Sequence, residues 1–420
     1  MNDAIRAAFA RANDFTDDRP VYVIGAGPGG LAVAAALRER GVRAVVLEKS
    51  GAVGTSWRGH YDRLRLHTTR RLSSLPGLAM PRTFGRWVSR DDLVRYLEEY
   101  AEFHELELIT GVEVTRVDPA GSDWVLHATG GRRLTGRAVV VATGFNHTPR
   151  LPDWPGREAY QGELLHASAY RAPGPYTGKD VLVVGAGNTG AEIAADLAVG
   201  DAARIRLSIR TTPHIVRRSV LGWPAQRAAI LSRRLPVRLV DLAARALSRV
   251  AVPDLTARGL PRPDTGLGSR ARLGAVPVLD VGLVDAVRKG RVEPVAAVES
   301  FDGDTVVLTD GSRITPDVVI AATGYRRGLE GLVGHLGVLD DRGRPVAGGR
   351  PKRGRAAHEV PGLYFTGFTN PISGMLRELG IDARKTAKRL GRLSAKEAAR
   401  AATEASGVPE KAHGGRRSRN

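Results

Sequence analysis

Two glycine-rich turns, about 160 residues apart, constrain this 420-residue chain more than any other feature. The first reads Val21-Tyr-Val-Ile-Gly25-Ala-Gly27-Pro-Gly-Gly30, and the second reads Val181-Leu-Val-Val-Gly185-Ala-Gly187-Asn-Thr-Gly190. Each joins a short apolar run to an alanine-rich stretch, the pattern of a buried strand handing over to a helix. In such a turn the first glycine permits the tight reversal and the second lets the backbone approach a pyrophosphate. The third lets helix and strand pack closely. The free N–H groups of the helix N-terminus then face the phosphates. Two turns of this kind predict an α/β chain that holds two nucleotides at once.

The residues beyond each turn indicate which nucleotide it takes. After Gly41 ends the first helix, an apolar run over 42–47 predicts a second strand closed by Glu48, 18 residues beyond Gly30. A carboxylate there accepts hydrogen bonds from both hydroxyls of an unphosphorylated ribose, as in FAD. In the second unit the strand over 205–209 ends at Arg210-Thr-Thr, read as the position matching Glu48. A guanidinium attracts a 2′-phosphate that a carboxylate would repel, so the second cofactor reads as NADPH and not NADH.

Composition narrows the class. The chain contains no cysteine, which excludes disulfides, thiolate nucleophiles and thiolate metal sites. It also excludes disulfide reductases, which pair two dinucleotide sites around a redox-active cysteine pair. The formal charge of +19 comes from arginines spread along the chain, with one concentrated basic run from Lys411 to Asn420. Charge of that kind does not predict nucleic-acid binding. The basic run, poor in apolar residues, reads as a disordered tail. No apolar run reaches the roughly 18 residues that span a bilayer, and residues 1–20 lack the apolar core of a signal peptide. The expected location is the cytoplasm, with small-molecule partners.

The order of elements suggests how the two units are nested. Ser89-Arg-Asp-Asp92 resembles a capping box opening a helix to His104, and the stretch 107–134 alternates like strands joined by turns. A buried run over 138–142 ends in Thr143-Gly144, and a near-copy over 318–322 ends in Thr323-Gly324-Tyr325. The copies are read as the points where the chain leaves and re-enters the first domain. Expected boundaries are a first FAD part at 1–148, an NADPH domain at 149–316, an FAD return at 317–392 and a basic tail at 393–420. Within the NADPH domain a segment at about 220–255 sets Leu231, Leu235, Leu239, Leu242 and Val250 among Arg234, Arg238, Arg245 and Arg249. This basic amphipathic pattern suits either a membrane surface or a cover over the active site that lines a substrate entrance.

Between the turns stands Tyr160-Gln-Gly162-Glu-Leu-Leu-His166-Ala-Ser-Ala-Tyr170-Arg171. It resembles the fingerprint of flavin-containing monooxygenases, with Tyr160 in place of the usual Phe. Tyr170 stands where Baeyer–Villiger enzymes carry Trp, which disfavours that subgroup. The resemblance runs from about Val21 to Leu390 and is closest to the plant YUCCA group. It rests also on Tyr61-Asp-Arg-Leu-Arg-Leu-His67 after Trp57, Pro277-Val-Leu-Asp280, Asp310-Gly311, Ala322-Thr-Gly-Tyr325 and Gly362-Leu-Tyr-Phe-Thr-Gly367-Phe368, in that order. It implies NADPH reduction of FAD, addition of O2 and oxygen transfer through a C4a-hydroperoxyflavin to a small organic substrate. In the YUCCA group that substrate is indole-3-pyruvate, which loses CO2.

On this resemblance Trp57 and His67 are expected on one side of the flavin, with Gly367 and Asn370 on the other. His166 is expected as a hinge between the domains, and a helix beginning near Ser373 turns its positive end to the flavin. Thr68-Thr69-Arg70 departs from the Leu-Pro-Lys of the plant group, which leaves N- or S-oxygenation as an alternative. A peripheral NAD(P)H:quinone dehydrogenase is the second alternative. It would lack the His166 fingerprint and favour NADH.

Overall fold

The structure, a computed structural model, describes residues 19–220, 222–346 and 360–405, with side chains described as far as Arg392. Down the chain, β1 (Val21–Ile24), α1 (Pro28–Arg38) and β2 (Ala44–Leu47) form the first βαβ unit. Helix α2 (Arg90–Phe103) follows, capped as the sequence predicts by Ser89, whose hydroxyl accepts from Asp92 N at 3.2 Å. Strands β3 (Glu107–Ile109) and β4 (Ala138–Val141) flank an antiparallel three-stranded meander at 114–136. Next come β5 (Thr148–Pro149), β6 (Glu163–His166), β7 (Asp180–Val184), α3 (Asn188–Leu197) and β8 (Arg204–Ser208). A region of β9 (Ile215–Arg217), α4 (Ala225–Ser232), α5 (Val237–Ala251), α6 (Leu267–Arg272) and β10 (Val278–Asp280) leads to β11 (Glu293–Val295). The chain continues through β12 (Val318–Ala321), β13 (Tyr325–Arg326), β14 (Leu363–Phe365) and the long α7 (Met375–Ala405).

Two five-stranded parallel sheets result, in the orders β14-β4-β1-β2-β3 and β11-β8-β7-β12-β6. Their central strands are continuous apolar runs with every residue buried in β1, β4 and β12, as parallel strands covered on both faces require. The registers superimpose: Ile24 pairs with Leu47 and Val141 in one sheet, and Val184 pairs with Ser208 and Ala321 in the other. Each unit also has an antiparallel three-stranded meander, at 114–136 between β3 and β4 and at 298–314 between β11 and β12. The fifth strand is supplied differently. The first sheet takes β14 from the C-terminal part of the chain, and the second takes β6, which precedes its own glycine turn.

Three boundaries differ from expectation. Strand 318–321 pairs with β7 and β6, so it belongs to the second sheet and the return cannot begin at 317. The chain crosses back at β13, which pairs antiparallel with β5, the outgoing crossing. Beyond β13, Leu329, Leu332, Val333 and Val338 pack into the core of the first unit. The tail expected at 393–420 begins as helix, because α7 continues to Ala405; residues 406–420, with the basic run, lie outside the described residues. The helical insertion expected at 220–255 extends through α6 to Arg272.

Candidate functional site

Both turns are built by the same backbone constraints. Gly25 and Gly185 have φ of +108° and +109°, and an added Cβ would lie 2.7 Å from the carbonyl oxygens of Ala142 and Ala322 respectively. At Gly30 and Gly190 a Cβ would overlap the Gly25 and Gly185 carbonyl oxygens. The middle glycines are different. A Cβ at Gly27 or Gly187 meets nothing within 4 Å among the described residues, which leave that space open. These two residues are also the N-caps of α1 and α3, and neither end has a side-chain cap. Open space above a helix terminus with uncapped amides is the geometry a pyrophosphate fills.

Around the first turn Glu48 is buried, and its two oxygens accept from Ala26 N at 2.8 Å and Ser50 N at 2.9 Å. It holds the glycine loop while its remaining lone pairs stay available to a ribose. Thr143 Oγ1 and Thr366 Oγ1, just past the C-terminal ends of β4 and β14, are buried with no hydrogen-bond partner among the described residues. Orphaned hydroxyls at the carboxyl edge of a parallel sheet fit a bound dinucleotide, which would partner them. Trp57 is half-buried against the first core, and Gly367, at φ +84°, lies against Leu379 of α7.

In the second unit the register corrects the sequence reading by one residue. Gly25 N donates to Leu47 O and Gly185 N donates to Ser208 O, so Ile209 and not Arg210 matches Glu48. The ribose position carries no carboxylate, and Arg210 sits next to it. Arg210 is exposed and makes no hydrogen bond or ion pair with any described residue, leaving its guanidinium free for a phosphate.

The fingerprint residues lie at the edge of the second sheet. Tyr160 donates to Pro316 O at 2.6 Å and stacks edge-on against Phe301, and Gly162 leaves room for its ring. Tyr170 is fully buried, donating to Asp196 Oδ2 at 2.8 Å, while Arg171 donates to Ser168 O at 2.7 Å. His166 ends β6. Ser168 N donates to its Nδ1 at 3.1 Å, which leaves Nε2–H to donate to Gly324 O at 3.0 Å. Burial holds its pKa below the ordinary imidazole range, so it clamps the β12–β13 turn as a neutral ring.

Between the two units lies an apolar cavity of about 730 Å³, within the range of small-molecule sites. His67, Thr68 and Ile372 form one end, and α4, α5 and the β9–β10 ribbon supply walls that include Val216, Leu235 and Leu239. His67 Nε2 lies 2.7 Å from Glu192 Oε1, and its Nδ1 is buried with no hydrogen-bond partner among the described residues. A second cavity of about 460 Å³ adjoins, lined by Arg63, Arg65, Trp87, Arg217, Arg218 and Glu192, so Arg217 borders both. Asn370, expected beside the flavin opposite His67, is exposed on its loop and does not line the apolar cavity, whereas Ile372 does.

Sequence reasoning missed Glu192 and Gln226. Glu192 is a carboxylate two residues past the last glycine of the second turn, a detectable signal because the matching residue of α1 is Ala32. Gln226, buried in α4, accepts from Thr69 N at 3.0 Å and donates to Ser373 O at 2.7 Å. It pins the wall of the cavity to both parts of the first unit, a role no local pattern announces.

Residues 22–228 match a family model described as pyridine nucleotide-disulphide oxidoreductase, although a chain without cysteine cannot run that disulfide chemistry. Indole-3-pyruvate monooxygenase YUCCA1 of Oryza sativa subsp. japonica is 38% identical over 352 residues, covering 83% of this chain and 86% of that protein. Probable indole-3-pyruvate monooxygenase YUCCA8 of Arabidopsis thaliana is 32% identical over 398 residues, covering 90% and 91%. Among solved structures, the flavin-containing monooxygenase from Stenotrophomonas maltophilia superposes with a TM-score of 0.68 at 25% identity, over 90% of this chain and 99% of that one. An oxidised steroid monooxygenase bound to NADP shares the fold at a TM-score of 0.68 and 19% identity, over 90% and 86%. With both turns, their partners and these relatives in agreement, the chain belongs to the YUCCA family of flavin monooxygenases and is an FAD- and NADPH-dependent monooxygenase.

Proposed function

We propose that the apolar cavity takes an aryl 2-oxo acid, with indole-3-pyruvate as the type, and that the reaction is its oxidative decarboxylation. In this reading Gly25, Gly27, Gly30 and Glu48 hold FAD, and Gly185, Gly187, Gly190 and Arg210 hold NADPH. FAD supplies the redox chemistry, drawing its hydride from NADPH and activating O2. The protein orients and excludes water. The walls from α4 and α5 keep the reacting end dry, and His67, whose Nε2 lies 2.7 Å from Glu192 Oε1, offers Nδ1 as the hydrogen-bonding atom toward the substrate.

The observation that carries the substrate class is the pairing of an apolar cavity with an arginine-lined one that shares Arg217. An aryl group suits the first, and a carboxylate suits a guanidinium at its border. The relatives named as indole-3-pyruvate monooxygenases support the same class. The test is turnover under ¹⁸O2 with NADPH against a panel of aryl 2-oxo acids, amines and sulfides. Label in the shortened acid together with CO2 release is the expected result. A charge-assisted hydrogen bond is worth about 1.5–3 kcal/mol, so Arg217→Ala should raise KM for the oxo acid roughly tenfold or more and change a neutral sulfide little. Labelled N- or S-oxides with no labelled acid would replace this reading with the N- or S-oxygenating one. Since NADPH is supplied there, we place the reaction in the cytoplasm, which cell fractionation would check.

A further inference from the structure

Of the eleven large apolar side chains that are exposed among the described residues, seven fall between Trp223 and Val250. They belong to α4, α5 and the turns around them. Helix α5 buries none of its residues. At 100° per residue its flank with Val240, Ala244 and Ala251 faces the cavity, whereas Leu242, Ala246 and Val250 continue from Leu239, at the cavity's rim, as a separate stripe outside the lining. Leu242 is 67% exposed and Val250 89%. Neither lines the cavity.

The charges beside this stripe have one sign. Residues 225–251 contain six arginines and a single carboxylate, Asp241. That carboxylate is already committed, accepting from Gly268 N at 2.6 Å and from Ser269 N and Oγ at 3.1 and 2.6 Å. Arg238, Arg245 and Arg249 recur along one edge of the stripe, on the helix side adjoining Leu242. Arg227 lies over the exposed Trp223 ring, 5.4 Å from its centroid.

We propose that this face docks on an anionic lipid surface, with α5 lying in the plane of the interface, its leucine stripe in the acyl boundary and its arginines among the headgroups. The charge pattern chooses this occupant. A second copy paired face to face would set the same arginine edges against each other with no free carboxylate between them on α4 or α5. An anionic bilayer satisfies the apolar stripe and the guanidiniums together, and long arginine stems allow the charged ends to reach the headgroups. Leu231, Leu235 and Leu239 are both exposed and part of the cavity wall, so the cavity would open at the docked face.

The experiment is sedimentation of the full-length FAD-loaded protein with vesicles of phosphatidylcholine alone or with about one-third phosphatidylserine. Each arginine near such a surface contributes about 1 kcal/mol, so three predict roughly a hundredfold tighter partition onto the anionic vesicles, weakened by salt. Leu242→Glu with Val250→Glu should abolish the bound fraction while leaving turnover in solution unchanged, since neither residue lines the cavity. Absence of binding to anionic vesicles at low salt would overturn the proposal. So would binding that survives the Leu242→Glu, Val250→Glu change, which would assign it to charge elsewhere, or a wild-type dimer in sedimentation velocity that the same change dissociates.

Discussion

After Gly30 the first helix carries Ala32 and Ala36, both buried; after Gly190 the second carries Glu192 and Asp196 at the matching positions, also buried. The strands differ in the same way. Glu48 closes β2 where Ile209 follows β8, and Phe365 ends β14 where His166 ends β6, each beside the strand that precedes an Ala-Thr-Gly or Thr-Gly turn. The backbone template is repeated almost to the degree in φ, but its flanks answer to different neighbours. Helix α1 lies between its sheet and α7, where an unpaired polar group would lose its hydration. Helix α3 faces Tyr61, His67 and Tyr170, which give its carboxylates partners. The repeat therefore sets where a dinucleotide can sit, and the unmatched side chains set which one sits there and what chemistry meets it.

If the two units are the same template, their helix-packing glycines should fail alike. Gly30→Ala and Gly190→Ala each drive a methyl into a carbonyl oxygen, and overpacking against backbone costs about 1–3 kcal/mol or more. Both variants should lose several degrees of Tm, measured by calorimetry, with full loss of folded protein the upper limit. A tolerated alanine at either position would break the equivalence.

The middle glycines should separate the units. Gly27→Val and Gly187→Val fill space the protein leaves open, so both should fold. The first should purify colourless, whereas the second should stay yellow and lose NADPH-dependent reduction in stopped flow. A fully flavinylated Gly27→Val protein would remove FAD from the first turn.

Ribose discrimination comes next in size. Arg210→Ala should weaken NADPH by roughly ten- to a hundredfold, from about 1.5–3 kcal/mol for a charged hydrogen bond, and leave NADH little changed. Ile209→Glu, which restores the first unit's carboxylate, should then favour NADH. Equal losses for both cofactors would show that Arg210 does not read the phosphate.

The smallest effect concerns the clamp. Burial depresses the pKa of His60, His147 and His166, so the unfolded chain takes up protons first as pH falls. Stability should be complete above about pH 6.5, the ordinary imidazole value, and decline on acidification below it. His166→Phe copies Phe365 of the first unit. It should keep FAD, reduce the fall in Tm between pH 7.5 and 5.5, and raise hydrogen peroxide release per NADPH, because Gly324 O loses its donor at the crossing. An unchanged peroxide yield would make His166 a packing residue only.

Much of this was legible locally. The glycine turns, the Ser89 cap and the apolar strands depend on residues within a turn or two of each other, where steric and hydrogen-bonding rules act without knowledge of the fold. Glu48 was legible for the same reason, since a strand fixes its distance from the turn. Cysteine's absence excluded disulfide chemistry before any geometry was known. Pairing was not legible. The runs at 138–142 and 318–322 are nearly identical in sequence, yet one joins the first sheet and the other the second, because a buried strand's composition states that it is covered and not by which neighbour. The one-residue offset at Arg210, the contact of His67 with Glu192, the Gln226 bridge between Thr69 and Ser373, and the exposure of Asn370 all join or separate residues distant in sequence. Only the tertiary structure decides these, since each depends on how the two sheets and the helices over the cavity are set against one another.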